Sequence, residues 1–360
     1  VRPKKIHFIT GMRADFGGKP FNIVHMLAIL SARLNYPDHE IFVHYEYEPE
    51  GQWWDYARQF VTCRKTIAPR QIFGRKVEHF AHAADVLRLQ LLIEEGGIYF
   101  DTDTMVCRPI ADLPDDQVIM GIDAGNDHQI FGLSNAFIAA PSQSDFLINW
   151  LDGYRDFDAA DYISHSVKLP FALAQEKNSG VHIETRHAFC YPHNDQQSLR
   201  NLFTRRVDVS NSYSIHLWES VSWDYITGLT PETIARENTT YNGLANIILS
   251  EFPDSPATMR EWPVEIRIDQ ARLPKAALDR PAFWYVTLHD AQGNQLMRCD
   301  AELEEVNGLV ATGASQLVLG RAVKAVHPPA SWVVQPTDRR RQWLNRLEGK
   351  LGDGLVKAIH

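Results

Sequence analysis

The stretch GGIYFDTDT, Gly96 to Thr104, constrains this chain more than any other. Ile98, Tyr99 and Phe100 read as a short apolar strand that runs directly into Asp101 and Asp103. In extended backbone, residues i and i+2 point the same way. Both carboxylates are therefore expected to converge on one hard divalent cation, Mn²⁺ or Mg²⁺, that keeps water or phosphate oxygens as its other ligands. A D-x-D pair alone is weak, because two loop aspartates are usually solvated or cap a turn. What precedes it gives it force.

Upstream, AADVLRLQLLIEEGG reads as an amphipathic helix: Ala84, Leu87, Leu91, Leu92 and Glu95 keep helical spacing, and Gly96 and Gly97 end it. Asp85 and Arg88, three apart, share a face near its start. On their own they read as a surface ion pair contributing a few tenths of a kcal/mol. With a strand and D-x-D following at fixed distance, they read instead as an Asp accepting from sugar hydroxyls and an Arg donating to sugar or phosphate.

The first part of the chain alternates strand and helix signals. Ile6–Ile9, Ile41–Tyr45, Ile98–Phe100 and Val118–Gly121 read as strands; Phe21–Leu34 (with Pro20 at its start), Gln52–Val61 and Val77–Glu95 read as helices. This rhythm predicts an α/β fold with an open, mostly parallel Rossmann-like sheet and ligands at the carboxyl ends of strands. Asp101 and Asp103 stand at such an end.

HAADVLRLQLLIEEGGIYFDTDTMVCRPI, His82 to Ile110, resembles the signature of the sugar-transferase family named for its D-x-D motif, glycosyltransferase family 32. That family includes capsular-polysaccharide transferases, the yeast Golgi initiating mannosyltransferase and relatives of the clostridial glucosylating toxins. Ala83, Asp85, Arg88, Leu92, Gly96, Gly97, Tyr99, Asp101, Asp103, Pro109 and Ile110 fit its pattern, and Ala84 stands where Ser is usual. KKIHFITG resembles the opening strand, with Thr10 near the usual aromatic position. YPDHEIFVHY, LSNAFIAAP and SIHLWESVSW resemble later blocks in the family's order.

The resemblance implies a GT-A fold and a metal-dependent transferase that moves a hexose from a UDP- or GDP-sugar to a glycan or lipid-linked acceptor, with retention. It implies Asp103 as direct metal ligand, Asp101 bridging metal and ribose, and His216 as third ligand. It further implies Ile9, Thr10 and Gly11 at the base, Asp85 and Arg88 on the donor sugar, Asn135 facing donor or acceptor, and Ser222 and Trp223 closing over the diphosphate. Two other readings stay open: a nucleotide-sugar hydrolase with the same metal site, and a non-catalytic carbohydrate- or nucleotide-binding protein.

Composition narrows the classes. A formal charge of −9 argues against nucleic acid, which needs clustered basic residues. Cys63, Cys107, Cys190 and Cys299 are widely spaced, fit no zinc motif, and read as free thiols in a reducing compartment. No stretch approaches 18 apolar residues, so neither a membrane span nor a signal peptide is expected. GGKP at Gly17–Pro20 is no P-loop, since Pro20 follows the Lys. His79 and His82 read as ordinary residues of one helix face, and Trp53 and Trp54 as a pair split between core and surface.

Three spans are expected: residues 1–258 as the transferase domain, 259–336 as a small all-β module of sandwich type, and 337–360 as a basic amphipathic tail. The module is read from VEIRID, FWYVTLHD, QLMRCDA, GLVATGA, QLVLG and AVKAVH, with a turn at Ala291–Asn294. In the tail, Leu344, Leu347, Leu351, Leu355 and Ile359 make a stripe flanked by Arg339, Arg340, Arg341, Arg346, Lys350 and Lys357. It reads equally as a helix lying on anionic lipid and as a terminal helix packed on the β module. The former would place the protein in the cytoplasm, peripheral at the inner membrane face.

Overall fold

The computed structural model describes residues 1–125 and 129–257, and beyond these the backbone of four strands. The chain divides into two compact units: Val1–Arg200 with Asn211–Thr227, and Asn201–Ser210 with the residues from Gly228 on.

The first unit runs β1 (Lys5–Thr10), α1 (Ile23–Asn35), β2 (Glu40–Tyr45), α2 (Gln52–Ala57), β3 (Thr62–Lys65), β4 (Gln71–Ile72), β5 (Arg75–Lys76), α3 (Phe80–Glu95), β6 (Gly97–Phe100) and β7 (Thr104–Val106). It continues with β8 (Val118–Ala124), β9 (Ile130–Ala140), α4 (Asp145–Asp152), α5 (Leu169–Ala174), β10 (Val181–Glu184), α6 (Arg186–Phe189), β11 (Ser214–His216) and α8 (Glu219–Thr227); α7 (Gln196–Thr204) crosses into the second unit. Seven strands form one sheet in the order β10-β8-β9-β6-β1-β2-β3. All neighbours are parallel except β9, which runs antiparallel to β6 and β8. This is the expected mostly parallel α/β architecture.

Helix ends follow local chemistry more closely than periodicity does. α1 begins at Ile23, not Phe21, because Asn22 accepts from Val24 N–H while His25 accepts from Asn22 N–H, a reciprocal cap. α3 begins at Phe80, not Val77, because the His79 ring accepts from Ala81 N–H. His79 is thus a cap, and its ring meets that of His82 edge-on at 5.7 Å. The helix expected over Gln52–Val61 stops at Ala57, passes through a 3₁₀ turn at Arg58–Phe60, and gives way to β3. Trp54 is buried and Trp53 partly exposed, as the split reading expects.

The turn that launches β6 positions the site. Gly96 and Gly97 have φ of 64° and 105°. A Cβ on Gly96 would stand 2.6 Å from Ser142 N, and one on Gly97 2.5 Å from the Lys5 carbonyl oxygen. Only glycine allows α3 to turn so tightly beneath β1. His7 locks the same turn from below, with Nε2 3.0 Å from the Gly96 carbonyl and Nδ1 3.1 Å from His44 Nε2. Burial keeps both rings neutral, lowering His7 to about 4 and His44 to about 3.

Along β6 the side chains alternate between two packed layers. Tyr99 joins Val86, Leu89 and Leu92 of α3, with Met120, Ile138, Leu147 and Trp150. On the other face Phe100 lies between Phe8 and Phe137, and Phe137 stacks on Phe189 at 3.7 Å. A strand buried on both faces has little freedom to slip, so its carboxyl end is a firm platform.

In the second unit, α9 (Pro231–Arg236) and α10 (Thr240–Glu251) are joined by Asn246, whose amide donates to the Ile234 carbonyl at 2.7 Å. β12 (Val264–Gln270), β13 (Phe283–Asp290), β14 (Gln295–Glu302) and β15 (Gln316–Val318) pair antiparallel in the order β14-β13-β12-β15. They coincide with VEIRID, FWYVTLHD, QLMRCDA and the start of QLVLG. The expected strands GLVATGA and AVKAVH, the turn at Ala291–Asn294 and the tail 337–360 lie outside the described residues. Among those described, no helix is long and apolar enough to cross a membrane, and Cys63, Cys107 and Cys190 are free thiols.

Candidate active site

At the carboxyl ends of β1 and β6 lies a cavity of about 510 Å³ whose wall includes Asp85, Arg88, Asp101, Asp103, Asn135 and His216. A volume of this order suits a small organic ligand.

Asp101 and Asp103 meet by a different route from the expected one. They sit in a turn, closed by Thr104 N–H to the Asp101 carbonyl at 3.1 Å, rather than in extended backbone. The turn is anchored on both sides: Asp101 N–H donates to Ala136 O at 2.8 Å, and Leu217 N–H donates to Asp103 O at 2.9 Å. The second bond draws in the end of β11, which pairs with β7 immediately after the turn. His216 thereby arrives beside the aspartates, its Nε2 3.2 Å from Asp103 Oδ1.

Side-chain donors from Asp101, Asp103 and His216 lie within 4.8 Å of one another. Burial works against ionising Asp103, yet the neighbouring His216, its hydrogen bond and the Glu219 N–H at 2.8 Å hold the carboxyl below its usual range. Glu219 begins α8, so Asp103 caps that helix from 116 residues away and meets its positive end. For Asp101 burial wins, with the Asp103 charge adding to it and Arg88 opposing, and its pKa is raised. Two crowded carboxylates beside an imidazole nitrogen suit a divalent cation. Trp218 lies over the His216 ring at 4.1 Å and fixes its own position by donating to the Pro192 carbonyl at 2.8 Å.

Asp85 and Arg88 are not a surface pair: they are only 7% and 5% exposed. Arg88 turns its whole guanidinium inward. It meets Asp85 Oδ1 and Asp101 Oδ1 at 3.1 Å each, donates to the Asn135 carbonyl at 2.6 Å and the Ala84 carbonyl at 3.3 Å, and lies over the Tyr99 ring. Asn135 closes the loop by donating to Asp85 Oδ1 at 2.7 Å, and the Tyr99 hydroxyl donates to Asp101 Oδ1 at 2.6 Å. Arg88 therefore stiffens the wall, and Asp85 turns its other oxygen toward His82 Nδ1 at 3.5 Å.

Ile9, Thr10 and Gly11 line the cavity. Gly11 has φ 59°, and a Cβ there would meet the Tyr47 carbonyl oxygen at 2.0 Å, so the close approach of the two loops requires glycine. Ser222 and Trp223 are absent from the wall. Ser222 is wholly buried and its hydroxyl donates to the Leu217 carbonyl at 2.6 Å, because α8 begins at Glu219 and turns that residue inward. Trp218, Glu219 and Ser220 stand in the wall instead.

Sequence reasoning also missed Lys19, His25, Asp123 and Tyr162. The first two join Glu219, His25 at 3.0 Å and Lys19 at 3.8 Å. Asp123 sits half-buried near His216, its pKa raised by burial and partly restored by that histidine. No local pattern singles these residues out, since each is brought in by a separate segment.

Residues 25–120 match the family described as the glycosyltransferase sugar-binding region containing the DXD motif. Glucan organizing enzyme 1 of Cryptococcus neoformans var. grubii serotype A is 33% identical over 271 residues, covering 72% of this chain and 74% of its own length. Solved structures are more distant. PaToxG glycosyltransferase is 19% identical over 48% of this chain and 68% of its own, with a TM-score of 0.33. The glycosyltransferase GlyE of Streptococcus pneumoniae TIGR4 is 10% identical over 71% and 64%, with a TM-score of 0.39. With a full-domain relative at this identity, and Asp85, Arg88, Asp101 and Asp103 all inside the matched span, the chain belongs to the DXD-containing sugar-transferase family and is a glycosyltransferase.

Proposed function

We propose that this glycosyltransferase is metal-dependent and moves a hexose, with retention, from a UDP- or GDP-sugar to a hydroxyl of a glycan or glycolipid. The observation that carries the reading is the convergence of Asp101, Asp103 and His216 within 4.8 Å in a cavity that also presents Asp85 and Asn135. When bound there, Mn²⁺ or Mg²⁺ acts as a Lewis acid that neutralises the charge developing on the departing diphosphate.

The chain's own residues do the rest. Asp103, held ionised by His216 and the start of α8, supplies fixed negative charge for the cation. Asp101 is oriented by Tyr99 and Arg88 through one oxygen, which leaves the other for ligands. Asp85, aligned by Asn135 and Arg88, accepts hydrogen bonds from the donor hexose. Thr10 and Gly11 present backbone to the base. Lys19, held loosely by Glu219, is a cavity-wall cation available to phosphate. The cryptococcal relative's name favours a glucan among the possible acceptors.

A thermal-shift panel of UDP- and GDP-sugars with Mn²⁺ tests the reading. A true donor at about a hundredfold over its Kd stabilises by about 2.7 kcal/mol. The melting temperature should rise with one donor class in Mn²⁺ and fall back in EDTA. No shift with any donor would count against the proposal.

We further propose work at the cytoplasmic membrane face, supported by the leucine stripe and flanking arginines of residues 337–360. Sedimentation with anionic vesicles should be strong at low salt and fade as salt rises. Failure to sediment at low salt would assign the tail a packing role.

A further inference from the structure

The carboxylates that line the cavity differ in one respect. Asp85 receives Asn135 and Arg88, Asp101 receives Tyr99 and Arg88, Asp103 receives His216 and Glu219 N–H, and Glu219 pairs with His25 and Lys19. Asp123 lines the same cavity with no hydrogen-bond or ion-pair partner among the described residues. It lies close enough to His216 to feel its charge, yet outside the cluster of Asp101, Asp103 and His216 that can share one ion. Its carboxylate is open to the cavity and committed to no protein donor among the described residues, so a ligand hydroxyl can supply one.

The backbone shows that this carboxylate is deliberately aimed. The β8–β9 register breaks directly after it: Asp123 faces Gly132, whereas Ala124 faces Ile130, so Phe131 is the extra residue. Such irregularities re-aim side chains beside active sites. Gly132 in turn lets the segment of Ser166 and Val167 close over β9, since a Cβ there would stand 2.3 Å from the Val167 carbonyl oxygen. That segment brings Tyr162 and Ser166 into the cavity wall. Tyr162 remains 58% exposed, with its ring against those of His79 and His82. A free carboxylate in a cavity whose wall also carries an exposed aromatic ring is suited to a sugar, whose hydroxyls donate and whose C–H faces lie on rings.

We propose that Asp123, with Tyr162 elsewhere in the same cavity wall, forms the acceptor subsite: its carboxylate accepts a hydrogen bond from a hydroxyl of an incoming carbohydrate and positions that sugar beside Asp101, Asp103 and His216. This rests on the glycosyl-transfer reading above. Asp85 and Asn135 serve the donor hexose on the α3 side, and Asp123 serves the acceptor from the β8 side.

The test uses the full chain, with methyl glycosides of glucose, galactose and mannose as acceptor probes, and whichever of UDP and GDP binds in Mn²⁺. Asp123→Asn should raise the KM for the acceptor glycoside at least about tenfold, the loss expected of one charge-assisted hydrogen bond. Its Kd for the nucleoside diphosphate in Mn²⁺ should stay within about twofold, and its melting temperature should fall by no more than about 2 °C. Tyr162→Ala should raise the same KM several-fold and leave nucleotide affinity unchanged. An unmoved acceptor KM would overturn the proposal. So would a parallel loss of nucleotide affinity, which would place Asp123 at the metal, or a large loss of stability, which would make it structural. A wild-type chain that binds neither nucleotide in Mn²⁺ would instead remove the transfer reading on which the subsite depends.

Discussion

Arg88→Met should lower both stability and activity severely, and Arg88→Lys should rescue neither. The guanidinium is 5% exposed and meets Asp85, Asp101, the Asn135 and Ala84 carbonyls and the Tyr99 face at once. Removing it strands the buried Asp85 carboxylate and weakens the hold on the partly exposed Asp101, and breaking a buried ion pair from one side costs about 3–5 kcal/mol. Lys carries one compact charge and cannot span these partners. Because Arg88 works through Asp85 and Asp101, its loss should weaken donor-sugar binding and cation binding together. Urea unfolding midpoints give the first effect; donor and Mn²⁺ titrations of the surviving folded protein give the second. Undiminished stability with loss of donor-sugar affinity alone would show that Arg88 grips the sugar directly.

That outcome was half legible. An i,i+3 Asp–Arg pair is visible in the sequence, but its burial depends on Asn135, which arrives from β9, and on Tyr99, one strand away. The D-x-D itself was legible because glycine turn, buried strand and carboxylates are contiguous. The reason given for its convergence was wrong, since Asp101 and Asp103 meet in a turn anchored by Ala136 and Leu217. His216 was found through its motif. Ser222 and Trp223, from the same motif, were misplaced because only the start of α8 at Glu219 fixes which residues of that segment face the cavity. The mostly parallel character of the sheet was readable from the βαβ rhythm, and β1, β2 and β6 pair in parallel accordingly. The antiparallel insertion of β9 was not, because its eleven residues carry no signal of direction. Asp123 left no trace in sequence: an aspartate after an apolar run looks like any strand end.

The central claim is that Asp103 holds a cation on which transfer depends, and it predicts the largest effect on activity. Asp103→Asn keeps the size of the side chain and an oxygen able to accept from Glu219 N–H, and Asn caps helices about as well as Asp. The fold should therefore survive, with melting within a few degrees of wild type. What Asn lacks is the charge that His216 and α8 hold in place. Loss of several kcal/mol of electrostatic stabilisation at the leaving diphosphate corresponds to a drop of roughly a hundredfold to a thousandfold. The decisive measurement follows hexose from the nucleotide to an acceptor glycoside as Mn²⁺ is titrated, for wild type and Asp103→Asn side by side. Wild-type transfer should rise saturably with the cation and vanish in EDTA, and the variant should show little transfer at any concentration. Wild-type transfer that persists in EDTA, or near-normal turnover of Asp103→Asn at limiting Mn²⁺, would contradict it.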